Sequence, residues 1–75
     1  MTEIVYVITV GATRATLNPD EARVVIKGDI PRRLAKILER RGIALPPRGT
    51  VPFHIEGSAG GLTIFRSEAH MRRVA

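Results

Sequence analysis

Twelve cations, seven acids, two histidines and two serines are the main groups through which this 75-residue chain could do chemistry. His54 and His70 stand well apart, on what read as different elements, and the chain has no cysteine to join them in a metal-ligand pattern. Ser58 lies in Gly57-Ser58-Ala59-Gly60-Gly61, which has the glycines of a phosphate-cradling loop but lacks its lysine. That stretch also reads as a connection between strands, not as the lead into a helix. Ser67 and His70 have the types of a nucleophile and a base, with no third residue evident to orient the base. The expectation is a protein that is not an enzyme, with no metal and no cofactor.

The cations are different, because they are unevenly placed. Between Ile30 and Gly49 stand Arg32, Arg33, Lys36, Arg40, Arg41 and Arg48, with Glu39 as the only acid. That local excess equals the net charge of +5 of the whole chain; elsewhere six basic and six acidic residues cancel. A solvated helix face ordinarily mixes signs. Six cations with one acid could instead neutralise several phosphates of a polyanion and release their counterions. The aromatic residues narrow the ligand. Tyr6, Phe53 and Phe65 all fall in strand positions that read as buried or half-buried, which leaves no exposed ring on which single-stranded bases would stack. Contact with the backbone of duplex DNA is the reading favoured, with an acidic protein partner as the alternative.

The elements that must position this charge can be read from periodicity and punctuation. Glu3 to Val10 is a run of β-branched residues and reads as a strand, apolar on both faces: Ile4, Tyr6, Ile8, Val10 and Val5, Val7, Thr9. Ala12 to Leu17 reads as a second, weaker strand after Gly11. Asn18-Pro19-Asp20-Glu21 is turn chemistry, and Ala22 to Lys27 alternates like a strand. The same residues also spell a helix start, with Asn18 as cap, Pro19 in the first turn, Glu21 three residues on and Gly28 as the stop. Such a helix would pair with the next one as a helix-turn-helix. The β-branched Val24-Val25-Ile26 favours the strand.

A helix is predicted from about Ile30 to Arg41, capped by Asp29, with Pro31 in its first turn and Gly42 as its left-handed stop. Ile30, Leu34, Ile37 and Leu38 make one apolar stripe; Arg32, Lys36 and Arg40 make a ridge outside it, with Arg33 beside them. Ile43 and Leu45 are expected to fold back on the core before Pro46-Pro47. Val51, Phe53 and Ile55, then Leu62 and Ile64, read as a closing hairpin around a flexible Gly57–Gly61 loop. The expected fold is thus α+β, a small ββαββ-type domain over residues 1–66 with one long helix on antiparallel strands. Residues 67–75 are expected to form a basic C-terminal tail, flexible or with a single helical turn.

Ala22-Arg23-Val24-Val25-Ile26, Ile30-Pro31-Arg32-Arg33-Leu34, Gly42-Ile43, Gly49, Val51, Phe53 and Leu62-Thr63-Ile64 together resemble the AbrB/MazE swapped-hairpin family. The resemblance covers roughly Ala22 to Arg66. It implies interleaved dimers that bind duplex DNA through arginines as transcription regulators or antitoxins, and here Arg23, Arg32 and Arg33 match the family's basic positions most nearly. Lys27-Gly28-Asp29 stands where the family runs from strand directly into Ile-Pro.

Size and composition set the remaining expectations. A chain this short buries only about 60% of its unfolded surface, so without disulfides or metal it is expected to self-associate, as a homodimer first of all. The two apolar faces of Ile4 to Val10 point the same way, since one helix covers only one of them. No run approaches the roughly 18 apolar residues of a membrane helix, and Ile4 to Val10, preceded by Glu3, lacks the basic flank of a signal sequence. The absence of cysteine fits a reducing cytoplasm. No glutamine and a single asparagine are compatible with a thermophilic source.

Overall fold

The computed structural model describes residues 3–43 and 50–72. The β-branched run at the start forms a hairpin with the segment that follows, β1 Val5–Val10 and β2 Thr13–Leu17, closed by a two-residue turn at Gly11-Ala12. One face of it carries Ile8, Val10, Thr13 and Leu17, all buried, with Tyr6 and Ala15 half-buried beside them.

Residues Pro19–Ile26 are the helix α1, which corrects the expected strand over Ala22–Lys27. The local signals on the helix side prevailed. The Asn18 Oδ1 accepts the Glu21 N–H at 2.8 Å, the Glu21 carboxylate accepts the Asn18 N–H at 3.1 Å, and Pro19 occupies the first turn. The stop is equally complete. Gly28, at φ 93°, donates to the Val25 carbonyl and Asp29 donates to that of Val24, the paired bonds that close a helix at a left-handed residue. Against these, three β-branched residues in a helix cost only a few tenths of a kcal/mol each. Burial follows the helical period: Ala22 and Val25 are inside, while Val24 and Ile26 face solvent.

The predicted helix over Ile30–Arg41 is shorter, α2 Arg32–Arg40. Pro31 holds the cap position in extended conformation and no side chain caps the helix, so the expected Asp29 cap is not formed. Gly42 and Ile43 close its end on the Glu39 and Leu38 carbonyls, and Ile43 packs half-buried on the core. Leu34 and Leu38 are buried completely, each contributing roughly 1.5–3 kcal/mol. Leu45, Pro46, Pro47 and Arg48 lie outside the described residues.

The chain closes with β3 Thr50–Ala59 and β4 Leu62–Arg72, joined by a two-residue turn at Gly60-Gly61. The stretch expected as a flexible five-residue loop is therefore mostly strand, and β4 runs through Ser67–Arg72, where a tail was expected. The element order is ββααββ, with two short helices in place of one long one, and the four strands form one antiparallel sheet in the order β2-β1-β3-β4. The α+β class stands.

Helices and sheet share one core: Ile8, Val10 and Leu17 from the first hairpin, Val25, Ile30, Leu34 and Leu38 from the helical layer, Val51, Phe53, Ile55 and Met71 from the second. Pro52 has no N–H to give, and the β1–β3 ladder ends at the pair Thr9–His54, just short of it. The helices cover one face of the sheet. On the other, Val5 is exposed and Val7 and Thr9 are half-buried among Thr16, Arg14, Glu56 and His54 of the neighbouring strands. The second face of β1 is thus dressed by polar neighbours within its own sheet, and does not by itself demand a partner chain.

Candidate nucleic-acid interface

The basic residues nominated from sequence separate into two groups once α1 and α2 are in place. At about 100° per residue, Leu34 and Leu38 set the buried direction of α2, and Lys36 points roughly opposite to it. Arg32 and Arg40 flank Lys36 one turn either side, and all three are exposed, as is Arg41 at the helix end. Among the described residues, none of these four lies within ion-pair distance of a carboxylate. The first turn of α2 contains no acid, so the positive end of the helix dipole adds to Arg32 instead of being offset.

Arg33 and Arg23 belong to the other group. The Arg33 Nε and Nη2 donate to the two carboxylate oxygens of Glu21 at 2.9 and 2.7 Å, and Nη2 also donates to the Thr16 carbonyl at 2.6 Å. This fork ties α2 to the start of α1 and to β2. The guanidinium of Arg33, chiefly by hydrogen bonding, holds the Glu21 carboxyl below the usual carboxylate range against the opposing effect of its partial burial; the carboxylate in turn raises Arg33. Arg23 pairs with Asp20 one turn back on α1, both well exposed. These two arginines are in part neutralised inside the chain, whereas the ridge is not. Arg48 lies outside the described residues.

The opposite face of the sheet assembles a polar cluster. His54 stands between Glu56 and Glu68, with nitrogen to oxygen distances of 3.6 and 3.5 Å, and Arg66 approaches Glu56 at 3.7 Å. The Thr63 hydroxyl donates to Glu56 at 3.0 Å. That bond above all, with His54 and Arg66 nearby, holds Glu56 below its ordinary value. Spacing two apart puts His54 with Glu56, and Arg66 with Glu68, on one face of each strand, and cross-strand register then creates the cluster by opposing His54 to Glu68 and Glu56 to Arg66. Register also separates Ser67 from His70. Ser67 is opposite Ile55 and points to the core side, while His70 is opposite Pro52 on the other face, so the two do not meet. Ser58 is a strand residue opposite Thr63. Among the described residues no group of three or more metal-ligating side chains converges, and no helix is long and apolar enough to cross a membrane.

The aromatic residues are held in packing. Phe53 is buried, and Tyr6 and Phe65 are half-buried with ring centroids 5.8 Å apart. Comparison with family models, with curated proteins and with solved structures finds no match to this chain.

Proposed function

We propose that the protein is a small regulator that binds duplex DNA through the outward face of α2. The observation that carries this reading is the set Arg32, Lys36 and Arg40, exposed on one side of a well-anchored helix, with Arg41 exposed at its C-terminal end, all four without carboxylate partners among the described residues. Cations left unpaired while their neighbours Arg23 and Arg33 are matched to acids supply phosphate neutralisation at little cost in broken ion pairs. The acid-free first turn adds backbone N–H groups of the kind that meet phosphate oxygens. As the second helix of a consecutive pair, α2 also has the place of a recognition helix, whose early residues face the groove. The half-buried aromatics favour duplex over single strand, since stacking needs free rings. The reading does not lean on the resemblance to swapped-hairpin regulators, whose pattern begins with a strand where α1 stands.

The test is a duplex titration at several salt concentrations. Binding by the parent protein is expected to weaken steeply with salt, with a slope of about −0.9 per phosphate neutralised. The triple change Arg32→Gln, Lys36→Gln, Arg40→Gln leaves Leu34 and Leu38 in place, and the salt slope is expected to shrink by about three. Arg14→Gln, on the far face of the sheet, is the control and leaves the slope unchanged. A loss per cation removed that is the same for the control as for the triple variant would reduce the ridge to diffuse attraction. No duplex binding at low salt, with retention on an acidic protein surface, would hand the ridge to the alternative partner.

A further inference from the structure

The sheet has two edges of very different character. The β2 edge is five residues long; the β4 edge is eleven residues long, contains neither lysine nor proline, and beyond the irregularity at Ile64 runs regularly with Arg66 and Glu68, of opposite sign, as its exposed charges. Among the described residues nothing pairs with the outer side of β4. We propose that this edge pairs antiparallel with β4 of a second copy of the chain, centred on Ser67, to give a continuous eight-stranded sheet.

The choice of partner rests on the sequence of β4 read against itself. In an antiparallel pair of identical strands directly opposed residues lie on the same face, so the two-fold axis stands perpendicular to the sheet and passes beside one central residue. Centring on Arg66 sets two arginines opposite each other, and centring on Glu68 sets two glutamates. Centring on Ser67 opposes Arg66 to the partner's Glu68 and Glu68 to the partner's Arg66, two complementary pairs on the same face. Both side chains are well exposed, 67% for Arg66 and 83% for Glu68, and are therefore accessible to a partner.

The other face fits as well. The same register sets Phe65, half-buried, against the partner's Ala69, which is exposed and small, and Ser67 against the partner's Ser67. A bulky residue thus meets a small one twice over, with nothing large at the centre. The turn at Gly28 comes close to the His70 carbonyl, within 3.5 Å of where a Cβ would stand. The pairing ladder accordingly runs over Phe65 to Ala69, short enough for an equilibrium between monomer and dimer. The perpendicular axis leaves both helical layers on one side of the joined sheet. The pairing needs no nucleic acid and stands apart from the DNA reading.

Sedimentation velocity over a wide concentration range tests it, with the full chain. The parent protein is expected to be a reversible dimer. Glu68→Arg sets arginine against the partner's Arg66, and Arg66→Glu sets glutamate against the partner's Glu68; each replaces two attractive pairs with two repulsive ones and is expected to raise the dimer dissociation constant roughly tenfold or more. Mixing the two single variants restores both pairs in a heterodimer, as does the double variant R66E/E68R in a homodimer. Circular dichroism on each variant verifies that the monomer still folds. A parent chain that stays monomeric at millimolar concentration overturns the proposal, as does a dimer indifferent to the single swaps. Failure of both the mixture and the double variant to re-associate overturns it too.

Discussion

Replacing Arg33 by Gln while leaving Arg32 in place tests whether two adjacent arginines, alike in sequence, have different work. Arg33 makes three charge-assisted hydrogen bonds, two to Glu21 and one to the Thr16 carbonyl. The Glu21 side chain is only 13% exposed, so removal of the guanidinium strands a carboxylate with little water to replace it. A well-desolvated bond to a charged group is worth roughly 1.5–3 kcal/mol. Arg33 is 53% exposed, and screening at that end brings the expected loss to about 1 kcal/mol. For a domain of this size that is a fall in melting temperature of about 4–8 °C. Arg32→Gln, with no partner to lose among the described residues, is expected to fall within about 0.5 kcal/mol of the parent. The pH dependence discriminates further. Because Glu21 is held below its unfolded value of about 4.3, the pair stabilises the fold fully above that pH, and the contribution disappears as pH falls through the lower folded value. The gap between parent and Arg33→Gln should therefore be constant near neutrality and close in acid. Thermal unfolding from neutral pH downward measures both. Equal stabilities for Arg33→Gln and parent at pH 7, or a gap that widens in acid, would refute the assignment of Arg33 to structure.

Two further perturbations test local features. A Cβ at Gly57 would overlap the ring of Phe65, so Gly57→Ala should displace the ring from Tyr6 and cost about 1–3 kcal/mol in chemical denaturation; in a Phe65→Ala background the same change should cost nothing, and persistence of the cost there would mean that the ring is not its cause. Asn18→Ala removes the acceptor of the α1 cap and should destabilise by about 1 kcal/mol in the same assay, while Asn18→Asp, which keeps an acceptor oxygen, should lose much less.

The elements dictated by local physics were legible from the chain alone. A run of β-branched residues marks β1, an apolar stripe at helical spacing marks α2, a glycine after Arg41 marks its end, and the basic ridge comes from the same periodicity, because every one of these signals lies within a few residues. Residues 22–27 were legible only as a choice, since the Asn18–Glu21 cap and the Val24-Val25-Ile26 run pull opposite ways; a completed cap, a completed stop and the burial of Ala22 and Val25 decided it. What remained belongs to contacts between distant segments. The pairing of β3 with both β1 and β4 carries the last strand through residues that look like a tail, because ladder partners, and not local propensity, hold Ser67–Arg72 extended. Register puts Ser67 and His70 on opposite faces and brings His54 between two glutamates. Only the packing of α1 against the start of α2 brings Glu21 to Arg33, twelve residues apart, and so takes one arginine out of a basic stretch that in sequence is uniform.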